Sequence, residues 1–341
     1  MNARTRPGGS EEPLHEAYDT ALLDLDGVVY AGGRAIEHAV SSLGAAREGG
    51  MRLAYVTNNA LRTPDAVAAH LTELGVPADA SDVVTSAQAV ARLIAEQVAP
   101  GSLVLAIGGE GLRVALREQG LEPVDSADDD PVAVVQGYGG PKMPWERLAE
   151  AGYAVARGVP WYASNTDLTI PGPRGIAPGN GAAVEVVRIA AGGGDPQVAG
   201  KPQPPMHRET ILRTGARRPL VVGDRLDTDI EGAHVGEVDS LLVLTGVTTP
   251  AHLLAAEPRH RPTYLAADLR GLLTGHPPVT PHGDGFRCGG WSAGADGGAL
   301  RVEGDGDPCD GLRALCAAAW TAAGDGPGRL DGEKALARLG W

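Results

Sequence analysis

Cysteine is nearly absent. Only Cys288, Cys309 and Cys316 occur, in an odd number and without C-x-x-C spacing, which excludes a disulfide framework and offers no zinc-ligand pattern. All three are expected to be buried free thiols. Phenylalanine occurs once and aromatic residues make up 4%, so a site that stacks a large ring is not advertised. Positive charge is in deficit: 29 Lys and Arg face 43 Asp and Glu, a net charge of -14. That balance excludes a general polyanion binder, because nucleic-acid affinity rests on an excess of basic groups facing phosphates. Any anionic substrate must be held locally, by a metal or a few basic residues. No apolar run approaches the roughly 18 residues that span a bilayer, and residues 1–18 lack the apolar core of a signal peptide. Neither nucleic acid nor membrane is an expected partner, and the expected location is cytoplasmic.

What remains is ordinary globular material: 341 residues, 43% hydrophobic and 21% charged, enough for two domains or one domain with a large insertion. Short runs rich in Val, Leu and Ala alternate with helical patterns: LLDLD, the helix AIEHAVSSLGAAREGG, RLAYVT, the helix PDAVAAHLTELG. Continuous apolar strands in such alternation imply an α/β fold with a Rossmann-like parallel sheet covered on both faces. The alternation runs on through SLVLAIG, PVAVVQGY and PWYASN to the Gly/Pro cluster IPGPRGIAPGNG, then resumes with RPLVVGD, SLLVLTG and PTYLAAD. The expected division is a discontinuous core (1–84 and 181–275), an inserted α/β domain (85–180) and a small carboxyl-terminal appendage (276–341). The last is rich in Gly, Asp and Pro and reads as a linker plus a short packed piece.

Four strand ends carry the chemistry. In LLDLDGVVY, Asp24 and Asp26 would project to one side if the strand ran straight on. Two carboxylates roughly 4 Å apart repel by about 4 kcal/mol at an effective dielectric of 20, nearly three pKa units, so one would stay protonated unless a cation intervened. Mg²⁺ suits the place, since it takes one or two carboxylates and completes its shell with water and phosphate oxygens; a simple turn is the alternative. RLAYVTNN ends in Thr57, Asn58 and Asn59, whose hydroxyl and amides can donate to phosphate oxygens or merely build a turn. AGKPQPP holds Lys201 on a constrained backbone, beside an anion or simply at the surface. PLVVGDRLDTDI sets Asp224, Asp227 and Asp229 directly after a strand; they could complete a cation site or cap the following helix, and three acids exceed the needs of one cap. Strand-end loops of a parallel sheet converge on one crevice.

D-L-D-G-V, V-T-N-N, G-K-P and G-D-R-L-D-T-D-I, in this order and with an α/β insertion between the second and third, resemble the haloacid dehalogenase superfamily of phosphatases. The likeness spans residues from about 18 to 272 and is to the subfamily with a large α/β cap, which includes p-nitrophenyl phosphatases. The stretches VVTSAQ and SNTDLTIPGPRGIAPGNGA, together with the appendage, are most similar to actinobacterial glycerol 3-phosphate phosphatases. The resemblance implies Mg²⁺ as cofactor and Asp24 as nucleophile and metal ligand. It implies Asp26 as general acid and base with its backbone carbonyl on the metal, Asp224 as metal ligand, and Asp229 behind it. Thr57, Asn58, Asn59 and Lys201 would meet the phosphorylated substrate, and Asn165, Thr166 and Asp167 of the cap could reach the leaving group. The implied reaction is hydrolysis of a small phosphomonoester through an aspartyl phosphate, glycerol 3-phosphate first. Phosphoglycolate, pyridoxal phosphate, sugar and nucleotide phosphates, a phosphotransferase or mutase, and an inactive regulatory protein stand as alternatives. The appendage shows no R-x-x-G-x-G/A loop for acetyl-CoA, and packing or homodimer formation is its expected role.

Overall fold

The computed structural model describes residues 5–172, 174–324 and 330–341. Residues 1–4 of the opening stretch, Pro173 of the Gly/Pro cluster and residues 325–329 of the appendage lie outside the described residues. The chain divides into two compact units, Met1–Ala54 with Ala216–Trp341, and Tyr55–Gly215.

The first unit holds strands in the order Tyr264–Ala266, Asp239–Val243, Pro219–Gly223, Thr20–Leu23 and Arg52–Thr57. The first four pair in parallel, and every residue of Thr20–Leu23 is buried, as a strand covered on both faces requires. From Thr20–Leu23 the chain steps to Arg52–Thr57 on one side and later returns to Pro219–Gly223 on the other. The order therefore reverses beside Thr20–Leu23, the kind of switch point at which open α/β sheets hold ligands. Leu23 stands opposite Val222, so the residues that leave these two strands emerge side by side.

The strand expected over LLDLD stops at Leu23, and Asp24 and Asp26 lie in the turn that follows. The Leu25 carbonyl accepts from the N–H groups of Val28, Val29 and Tyr30 at 3.3, 2.9 and 3.1 Å, and Gly27 takes φ +87°. This tight turn ends the straight run that the alternation assumed: Leu25 is buried, Asp24 half-buried and Asp26 exposed.

In the second unit Arg52–Thr57 ends and pairs in parallel with Val83–Thr85. A separate sheet follows the order Gln197–Val198, Trp161–Ala163, Ala133–Gln136, Leu103–Ile107, Glu122–Val124, parallel throughout. Leu105, Ile107, Val134, Leu148, Trp161 and Val184 form its core. The helix Ser86–Ala95 opens with a capping box in which Thr85 accepts from Gln88 N–H and Gln88 from Thr85 N–H. Helix Pro204–Thr214, unresolved by the sequence pattern, lays fully buried Glu209 between Arg92 and Arg213.

The appendage holds more regular structure than a linker. Thr280–His282, Gly285–Cys288, Trp291–Asp296 and Ala299–Gly304 form an antiparallel sheet in chain order. The glycine content that suggested a linker is turn chemistry: Gly283, Gly289, Gly297 and Gly298 all have φ between 54° and 86°, as short hairpin turns demand. Helix Pro308–Ala323 follows, buried at every position from Cys309 to Trp320. It shares one core with Ile230, Leu242, Leu253 and Leu265 of the parallel-sheet region. The three cysteines are free and buried as expected, and burial pushes the Cys288 thiol up to about 12 and that of Cys309 up to about 11. Among the described residues no helix is long and apolar enough to cross a membrane.

Candidate active site

The turn after Thr20–Leu23 and the loop after Pro219–Gly223 bring three carboxylates together. Asp24, Asp224 and Asp229 each offer an oxygen within 4.8 Å of the others, and Asp224 and Asp229 are buried. At an effective dielectric of 20 each ionised pair at that range repels by about 3.5 kcal/mol, so the group is a poor fit to three bare charges and a good fit to a hard divalent cation that takes oxygen donors. The surrounding backbone is shaped for them. A Cβ at Gly27 would lie 2.5 Å from Asp224 Oδ2, one at Gly246 would overlap the same oxygen, and one at Gly223 would overlap Asp229. Glycine at these places is what lets the acids approach the backbone this closely.

Hydrogen bonds fix the orientation. Asp224 Oδ2 accepts from Val247 N–H at 2.7 Å, and the Asp224 carbonyl accepts from Thr248 N–H at 3.1 Å. Asp229 sits in a π-helical turn, Leu226–Ile230, and its Oδ2 accepts from Arg225 N–H at 3.2 Å. Asp227 points away, exposed and paired with Arg225 at 2.8 Å. Asp229, expected behind the metal, thus stands in the carboxylate group itself, whereas the Asp26 carboxylate is outside it. The residues that sequence reasoning missed are Thr245, Gly246 and Val247; Thr245 Oγ1 donates to the Gly27 carbonyl at 2.6 Å. Their signal was the Thr-Gly pair that ends SLLVLTG, another strand end of the same sheet.

The second unit holds the remaining candidates. Thr57 Oγ1 accepts from Asn59 N–H at 3.1 Å, and Asn59 Oδ1 from Leu61 N–H at 2.8 Å, so both side chains shape the turn that follows the strand. Lys201 extends Nζ to the Val56 carbonyl at 3.1 Å, which brings the lysine to the end of the strand carrying Thr57. The Asn58 side chain bonds to the Lys201 backbone and to Asp167. Asn165 is buried and donates to the Asn58 carbonyl at 2.6 Å, while Thr166 is exposed.

A family model described as haloacid dehalogenase-like hydrolase matches residues 21–122, and a HAD-hydrolase-like model matches 198–272. The D-glycerol 3-phosphate phosphatase of Mycobacterium tuberculosis is 45% identical over 320 residues, 91% of this chain and 88% of that protein. The chain belongs to the haloacid dehalogenase-like phosphatases. An acid sugar phosphatase of Staphylococcus haemolyticus is 38% identical over 75% of this chain and 96% of its own length. Among solved structures, the glycerol phosphate phosphatase of M. tuberculosis in complex with magnesium superposes with TM-score 0.86 at 43% identity, covering 96% of this chain and 99% of that one. A thermostable NPPase from Geobacillus stearothermophilus gives 0.66 at 32% identity over 74% of this chain and 96% of its own. The NPPase and the sugar phosphatase leave about a quarter of this phosphatase uncovered. A model described as a GCN5-related N-acetyltransferase like domain matches residues 288–341, within the appendage.

Proposed function

We propose that this phosphatase hydrolyses a small phosphomonoester, glycerol 3-phosphate in preference to others, with Mg²⁺ and through an aspartyl phosphate on Asp24. The observation that carries the reading is the group Asp24, Asp224 and Asp229 at the sheet's switch point, and the 45% identity to a glycerol 3-phosphate phosphatase supports the substrate. The Asp24 and Asp224 carboxylates and the Asp26 carbonyl would hold the ion, with Asp229 beside them. When bound, Mg²⁺ offsets the repulsion among the carboxylates and neutralises charge on phosphoryl oxygens.

Asp24 attacks phosphorus while Asp26 gives its proton to the departing alkoxide. Asp26 then takes a proton from water, whose oxygen attacks phosphorus and returns Asp24 as a carboxylate. Thr57, Asn59 and Lys201 hold phosphoryl oxygens, where charge sits in the transition state. A glycerol leaving group needs hydroxyl partners and no aromatic stacking, in keeping with the single Phe of this chain.

A screen of phosphorylated metabolites with and without Mg²⁺ tests the reading. Glycerol 3-phosphate should show the highest kcat/KM, with turnover lost on chelation. Preference for phosphoglycolate, pyridoxal phosphate or a sugar phosphate would reassign the substrate, and no turnover of any would remove the activity.

A further inference from the structure

Asn58 is enclosed by partners on every polar atom of its side chain. Its Oδ1 accepts from the Lys201 N–H at 2.8 Å and its Nδ2 donates to the Lys201 carbonyl at 3.1 Å, so one amide grips both polar groups of one backbone residue. The same Nδ2 donates to the Asp167 carboxylate at 3.2 Å, with the other oxygen at 3.5 Å. Its main-chain carbonyl accepts from Asn165 Nδ2 at 2.6 Å and from Ser86 Oγ at 2.7 Å. A Cβ at Gly200 would sit 2.6 Å from Asn58 Oδ1, which makes glycine before Lys201 a condition of the clasp.

We infer that Asn58 is a positioning residue for Lys201 and not a substrate ligand, and that Asp167 sets which way round the Asn58 amide stands. The inference rests on the reading above, in which Lys201 meets the phosphoryl group. The two ends of a carboxamide have the same shape and differ only in what they bond. Turned over, the amide would set its oxygen against the Asp167 carboxylate and the Lys201 carbonyl, and its NH₂ against the Lys201 N–H. Asp167 is itself fixed: its N–H donates to Asn165 Oδ1 at 3.2 Å and its carbonyl accepts from Gly181 N–H at 2.9 Å. A side chain at Gly179 would strike that carbonyl. The loop after Trp161–Ala163 thus orients an amide, the amide holds the Lys201 backbone, and from there Nζ reaches the Val56 carbonyl.

The test compares kcat and KM of the wild type, Asn58→Asp, Asp167→Asn and the double variant on two phosphomonoesters with unlike leaving groups, glycerol 3-phosphate and p-nitrophenyl phosphate. Asn58→Asp keeps the shape but sets a second carboxylate against Asp167. It should lower kcat by about tenfold to a hundredfold, by the same factor on both substrates, as misplacement of a charged group does. The double variant should regain part of the loss, because the new amide at 167 donates to the new carboxylate at 58 while the Lys201 carbonyl still lacks its donor. A loss several times larger on one substrate would show Asn58 touching the leaving group and overturn the inference; a double variant no better than Asn58→Asp would overturn the part played by Asp167. Should Asn58→Asp fail to fold, Asp167→Ala carries the same comparison, equal factors supporting and unequal ones opposing. A wild type that turns over neither ester would instead overturn the phosphatase reading beneath it.

Discussion

The strand-end loops around Asp24 and the hairpins of the appendage are both rich in glycine and aspartate, yet glycine serves opposite ends in them. At Gly223 and Gly246 a side chain would run into Asp229 and Asp224, and neither residue has positive φ among the described backbone; glycine is there for room. At Gly283, Gly297 and Gly298 nothing lies within 4 Å of where a Cβ would be, while φ is 57°, 58° and 86°; glycine is there for conformation. The acids differ likewise. Those of the first region crowd one another, whereas Asp310 in the second is paired with Arg313. Composition alone cannot separate the two regions; the surroundings of each residue do.

The comparison breaks most visibly at Asp24. Asp24→Asn should lower kcat on the preferred phosphomonoester by about 10³-fold or more. Without Mg²⁺ its thermal midpoint should hold or rise, because one of three crowded charges is gone. Activity near the wild-type level would leave Asp24 without its assigned role. A smaller effect is expected from Gly246→Ala, which displaces Asp224: the Mg²⁺ concentration for half-maximal activity should rise about tenfold to a hundredfold, measured by titrating Mg²⁺ at saturating substrate.

In the appendage the largest effect should be on stability against pH. His276 Nδ1 faces Arg313 Nη2 at 3.1 Å, so Nδ1 accepts and Nε2–H donates to the Gly271 carbonyl at 2.9 Å. Burial, with Arg313 opposite, depresses this imidazole from 6.5 to about 4. A folded pKa below the unfolded one means that the contribution is complete above pH 6.5 and is lost as pH falls toward 4, about 3 kcal/mol in all. Unfolding midpoints between pH 7 and 4 should show the loss, and His276→Gln should flatten it; an unchanged slope would clear His276. The smallest effect is Gly297→Ala, which should cost about 1 kcal/mol from its positive φ and leave kcat and Mg²⁺ dependence unchanged.

The parallel sheets could be read from sequence because apolar runs ending in Asp, Thr, Asn or Gly mark strand ends directly. Finer placement could not. That Asp229 rather than the Asp26 carboxylate joins the group depends on a π-helical turn and on a chain that bends at Leu25, neither of which alternation encodes. Asn58 looked the same as a substrate ligand and as a turn residue, and its bonds to the Lys201 backbone were not legible because Lys201 is 143 residues away. The appendage reads as a linker plus a short packed piece, and its hairpins were not legible because Gly and Asp signal both hairpin turns and absence of structure.

The all-round burial of helix Pro308–Ala323 bears on synthesis at the ribosome. Leu242, Leu253 and Leu265 share a core with that helix, so a nascent chain that has already made every strand of the parallel sheet still shows them to water. Completion of the fold waits on the synthesis of Pro308–Ala323, and a product cut short before Pro308 would present this face to chaperones and proteases.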